Sequence, residues 1–134
     1  AFAVVHSGWR GTIARIAEKA ARVLCAEAGC APSDLLAYVG PHIGAADYEV
    51  SEELAARFVA EFGPAVVPTE RHLDLTAAVM AALASAGVGE KSVAVCDVST
   101  ASATDRFYSY RAEGGETGRH GAIAFMRAGE ATLG

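Results

Sequence analysis

The chain has 134 residues, of which 52% are hydrophobic and 20% charged, enough apolar material to bury a core in one domain and too much for a disordered chain. A formal charge of -5, with 11 Lys and Arg scattered rather than aligned, excludes the basic stripe that binds a phosphate backbone, so nucleic acid is not an expected partner. Three cysteines without a CxxC pair exclude a disulfide framework and a zinc knuckle, and they fit a reducing cytoplasm.

The sequence opens at Ala1 and enters an apolar run at once, the pattern of a chain whose start lies further upstream; residues 1–5 read as a buried strand with His6 at its end. From Thr12 to Ala28, Ile13, Ile16, Ala20, Val23 and Leu24 recur at helical spacing, which predicts one helix capped by Thr12 and closed by Gly29. Leu35–Val39 reads as a second strand, stopped by Gly40-Pro41. Ser51 then opens a helix with Glu52 and Glu53 in its first turn and Leu54, Phe58 and Phe62 on its apolar face. Asp74 caps a further helix ending at Gly87, and Ser92–Cys96 reads as a valine-rich strand. The longest apolar stretch, 73–88, is interrupted by Asp74 and Thr76 and is mostly alanine, too weak for a membrane span. Last, 107–111 and 121–126 read as strands of a hairpin joined by the glycine-rich 112–118, which makes the sheet mixed. Nothing repeats, and no long linker divides residues 1–134, so one domain, or part of one, is expected.

Several residues could carry chemistry. In His6-Ser7-Gly8-Trp9-Arg10-Gly11-Thr12 a histidine, an arginine and a helix start converge, a setting that favours an anion; packing of His6 and Trp9 is the equally open structural reading. Zinc takes three or four ligands, and no other histidine stands at ligand spacing from His6. His42 lies at a strand end but is more simply an exposed loop residue. Asp97 precedes Ser99-Thr100-Ala101-Ser102, whose hydroxyls suit sugar or phosphate oxygens. The last third is locally basic through Arg106, Arg111, Arg119 and Arg127; Arg111 and Arg119 flank the hairpin with Tyr108, and a guanidinium fork fits phosphate, although either could instead pair with Glu49 or Asp97. The cysteines lack the electropositive surroundings of a nucleophile.

Three blocks in this order, His6–Thr12, then Gly40-Pro41-x-Ile43-Gly44 with Tyr48-Glu49-Val50, then Phe107–Arg111 with Thr117-Gly118-Arg119, resemble the laccase-domain, multicopper-polyphenol-oxidase-like family associated with purine nucleoside phosphorylase activity. The resemblance runs from Val4 to Met126 and covers the C-terminal half of the family's domain; it departs at Ser99-Thr100, where a Cys-Thr pair is common, and before Tyr48, where many members carry cysteine. It implies an α+β fold of mixed β-sheets packed between helical layers, a four-layer αββα sandwich of the cysteine-hydrolase-like type, here incomplete. It also implies one zinc, with copper as the alternative, held by His6 together with a histidine and a cysteine from upstream segments, so that the fragment alone is expected to be inactive. The implied reaction is phosphorolysis of adenosine, inosine, guanosine or methylthioadenosine, with adenosine deamination in some members. His6 is the implied catalytic residue, and Arg10, Tyr48, Ser99, Arg111 and Arg119 are the candidate contacts to nucleoside and phosphate. Alternative readings are a copper-dependent polyphenol oxidase, a Cys-His hydrolase or deamidase, and a non-catalytic nucleotide-binding module. Clustered histidines and the Cys-His spacing of blue-copper sites do not occur, so the copper oxidase stands second.

Overall fold

The computed structural model of the protein describes residues 1–126; Arg127 lies outside the described residues. Its elements are α1 (Trp9–Ile13), α2 (Ile16–Ala28), β1 (Ala37–Val39), α3 (Glu52–Phe62), α4 (Leu75–Ala86) and β2 (Val93–Val95), joined by loops that include short 3-10 turns.

The two central helices begin where side chains satisfy their free amides. Ser51 Oγ accepts from Leu54 N at 3.2 Å, and Asp74 Oδ1 accepts from Ala77 N at 2.9 Å. The predicted helix 12–28 is instead two helices. Arg15 takes a left-handed backbone, φ 58 and ψ 41, and breaks the chain between α1 and α2. The compensation is lateral: its guanidinium donates to Glu18 at 2.5 Å, Glu61 at 3.1 Å and Ser85 at 2.6 Å, tying α2 to α3 and α4, and lies 5.1 Å from the centre of the Phe62 ring. Thr12 is therefore not a cap. It sits inside α1, buried, with Oγ1 donating back to the carbonyls of Gly8 at 3.0 Å and Ser7 at 3.2 Å.

Strands β1 and β2 pair in parallel, with Ala37 opposite Val93 and Val39 opposite Val95. Alternation along β1 sets the two faces: Leu35, Ala37 and Val39 pack on Ala21 of α2 and on Val79, Leu83 and Ala86 of α4, whereas Leu36 and Tyr38 point away and remain exposed. A second core gathers Phe58, Val66, Leu73, Leu75 and Ala78, with Trp9, Ile13, Ile43 and Tyr48 packed against it. Helices with a small parallel sheet make the fold α+β.

Three predicted strands do not form. Residues 1–5 pair with no strand among the described residues and leave Phe2, Val4 and Val5 exposed, and 121–126 likewise carry exposed Ile123, Phe125 and Met126. A strand's amides and carbonyls need a neighbouring strand, and among the described residues neither segment has one. Residues 107–120 form no hairpin arm: a turn spans 110–115, and the residues on either side of it are not in a strand. Glu113 accepts from Ser109 N at 2.6 Å and from the Thr117 hydroxyl, and His120 Nε2 accepts from Tyr108 N at 2.8 Å. Gly118 permits this path, because a Cβ there would stand 2.6 Å from the Tyr108 ring. The only sheet among the described residues is thus parallel, not mixed.

Candidate functional site

Ser7 and Thr12 anchor the first motif: Ser7 Oγ lies 2.9 Å from Thr12 Oγ1, which fixes the turn between His6 and α1. Trp9 plugs the second core, Arg10 lies 4.5 Å from the centre of its ring, and His6 and Arg10 are both exposed. The imidazole folds back over Gly8, where an added Cβ would come within 3.2 Å of His6 Nε2. Since α1 has only five residues, its dipole is small and an anion here must rely on side chains rather than helix amides.

Tyr48 joins this region through the same core. Arg111 lies 5.3 Å from the centre of the Tyr48 ring and its Nη1 donates to the Glu49 carbonyl at 2.8 Å. Burial pushes the Tyr48 phenol up, opposed by the Arg111 charge. The Glu49 carboxylate pairs with Arg71, not with Arg111. Arg119 is placed apart, curled onto the carbonyls of Thr117 at 3.0 Å and Gly118 at 2.9 Å.

Past the C-terminal ends of β1 and β2 lies a cleft of about 290 Å³, lined by His42, Thr76, Asp74, Asp97 and Ser99 among others. Parallel pairing continues into it: Thr100 N donates to the His42 carbonyl at 2.9 Å. Rather than a freely exposed loop residue, His42 is half-buried and held at both nitrogens. Nδ1 donates to the Gly40 carbonyl at 2.8 Å, and Nε2 lies 2.7 Å from Thr76 Oγ1. Ser99 Oγ donates to Asp47 Oδ2 at 2.5 Å and accepts from Gly44 N at 3.0 Å; Ser102 donates to the same Asp47 oxygen at 2.5 Å. The Ser102 and Ser99 hydroxyls hold the Asp47 carboxyl below the usual aspartate range. With two carboxylates and no arginine in its lining, this cleft suits neutral hydroxyls better than phosphate.

Trp9 and Tyr48 pack on one core, Arg10 lies over the Trp9 ring and Arg111 over the Tyr48 ring, and His6 is exposed before the turn, while Ser99 belongs to the cleft and Arg119 to its own loop. Sequence reading named Ser102 and His42 but not their partners Asp47 and Thr76, which lie 34 to 55 residues away and leave no local spacing signal. Among the described residues no three His, Cys, Asp or Glu side chains come together to hold a metal ion, so the donors described do not by themselves make a zinc or copper site. No helix among them is long and apolar enough to cross a membrane.

A purine nucleoside phosphorylase of Deinococcus radiodurans is 40% identical over 88% of this chain and 46% of its own length. A protein named adenosine deaminase RL5, from an unknown prokaryotic organism, is 31% identical over 87% of this chain and 47% of its own. The crystal structure of YlmD from Geobacillus stearothermophilus superposes with a TM-score of 0.74 at 30% identity, over 85% of this chain and 45% of that one. The chain thus spans about half the length of the relatives it matches. The family model described as multi-copper polyphenol oxidoreductase laccase matches residues 1–127, and the chain belongs to that family.

Proposed function

We propose that these residues supply part of the active site of a purine nucleoside phosphorylase, as one portion of a single larger four-layer domain. The observation that carries the reading is an exposed imidazole, His6, and an exposed guanidinium, Arg10, on either side of a turn locked by Ser7 and Thr12, in a chain that matches relatives named for this activity over most of its length. Phosphorolysis breaks the bond between ribose and purine as a phosphate oxygen bonds to the anomeric carbon, through an oxocarbenium-like state. Arg10 and Arg111 orient the phosphate, and Arg119 joins them only if it leaves its own loop carbonyls. Tyr48 offers its half-buried ring to the nucleoside, and Ser99 with its cleft faces sugar hydroxyls.

His6 acts within a histidine–cysteine or metal cluster, zinc by preference and copper as the alternative, whose other members come from outside these 134 residues. Bound there, a metal would supply charge stabilisation. The substrates are small molecules, nucleoside and phosphate, handled in the cytoplasm.

Full-length protein given inosine and inorganic phosphate should release hypoxanthine and ribose 1-phosphate. Release that does not need phosphate, and that stops on thiol alkylation but not on metal removal, would replace this reading with a Cys-His hydrolase. Tight nucleoside binding without turnover would replace it with a binding module. The relative named adenosine deaminase supports a second activity on the same site, read as conversion of adenosine to inosine by the same preparation.

A further inference from the structure

Outside this site, two of the three cysteines meet. Cys25 and Cys30 are five residues apart, and their Sγ atoms lie 3.5 Å from each other. The geometry comes from the end of α2. Gly29 takes the left-handed conformation, φ 67, and the Cys30 amide donates to the Cys25 carbonyl at 3.2 Å. This six-to-one closure turns the chain back on the helix and brings its first and last side chains into contact, usually as an apolar pair. Here both are thiols.

Their surroundings differ. Cys25 is 6% exposed, whereas Cys30 is half-buried and open to solvent on one side. Burial, with Cys30 and Asp34 beside it, pushes the Cys25 thiol up, and the better-exposed Cys30 is the thiol that a reagent in solution meets first. Cys96 lies on the strand side of the molecule, at the cleft, and is not part of the pair.

We propose that Cys25 and Cys30 form an oxidation site that closes to an intramolecular disulfide when the protein meets hydrogen peroxide. Cys30, the accessible thiol, attacks the peroxide oxygen, breaking the O–O bond; it becomes a sulfenic acid and water leaves. Cys25 then attacks the Cys30 sulfur, the S–O bond breaks, and a second water departs as the disulfide forms. Two thiols lose two electrons and two protons in all, and the peroxide takes them up. The sulfur atoms need to close by about 1.5 Å to reach the S–S bond length, a movement that the last turn of a helix, the part that frays most readily, can supply. The bond pins the end of α2 to the segment leading into β1, and thus joins two elements that share the core beneath the sheet.

The test uses reduced full-length protein treated with hydrogen peroxide, then denatured and alkylated. Trypsin releases residues 23–57 as one peptide that holds Cys25 and Cys30 but not Cys96. The expected peptide has lost two hydrogens, takes up no alkylating reagent, and recovers both alkylation sites after dithiothreitol. In Cys30→Ser, Cys25 should stay fully alkylatable at the peroxide dose that closes the wild-type pair. Sulfinic acid on Cys30 with Cys25 still alkylatable, disulfides joining two chains, or equal loss of Cys25 in Cys30→Ser would each overturn the proposal.

Discussion

Arg15 shows how a single residue sets the path of the chain at the cost of local strain. A left-handed backbone costs a non-glycine residue roughly 1–2 kcal/mol, and bonds to Glu18, Glu61 and Ser85 offset it. The Glu18 hydrogen bond holds the Arg15 guanidinium above its usual pKa, while Arg15 and Arg22 hold the Glu18 carboxyl below its own, two shifts of matching sense. Arg15→Ala keeps the strain and loses the bonds, so it should destabilise by about 1–2 kcal/mol in urea denaturation; Arg15→Gly, which relieves the strain, should be milder than Arg15→Ala. Asp47 is the pH-sensitive counterpart. Its folded-state pKa is depressed by Ser102 and Ser99, so the folded state binds fewer protons than the unfolded chain below the ordinary aspartate range. Its contribution is present at neutral pH and is lost as pH falls through that depressed value. Asp47→Asn should therefore flatten the acid limb of a stability-against-pH curve; an unchanged limb would show that Asp47 does not set it.

At the scale of elements, the caps and spacing that announce α3 and α4 are what formed. Ser51 and Asp74 cap α3 and α4 as their positions predict, and the 3.6-residue spacing of Leu54, Phe58 and Phe62 put Phe58 at 0% exposure. Asp74→Ala should lower stability by about 1 kcal/mol. Phe58→Ala should cost about 3–5 kcal/mol, both read from denaturant midpoints. The break at Arg15 was not legible, because it depends on Glu61 and Ser85, which sit 46 and 70 residues away. Nor were the unpaired segments. Apolar runs such as 1–5 and 121–126 announce a wish for burial, but a strand also needs a neighbour, and periodicity does not say where that neighbour is. In 107–120 the sequence signals of a hairpin gave way to Glu113 and His120, whose side chains satisfy the amides that a strand partner would have taken.

Across the whole molecule, the family was legible because its three motif blocks keep their order along the chain, and the family match over residues 1–127 agrees. The site was legible only in part. Tyr48 packs against the second core with Arg111 over its ring, and His6 and Arg10 are exposed on either side of the turn before α1, whereas Ser99 lines the cleft and bonds Asp47, and Arg119 is folded onto its own loop. The chain matches about half of each relative's length, and in the proposed function it supplies one side of the reaction centre, with His6 the residue on which that activity turns. The most direct measurement is kcat/KM for phosphate-dependent release of hypoxanthine from inosine by full-length protein, wild type against His6→Ala. A fall of at least about tenfold, equivalent to about 1.4 kcal/mol of transition-state stabilisation, is expected with the fold retained by circular dichroism. An unchanged kcat/KM in His6→Ala would contradict the account.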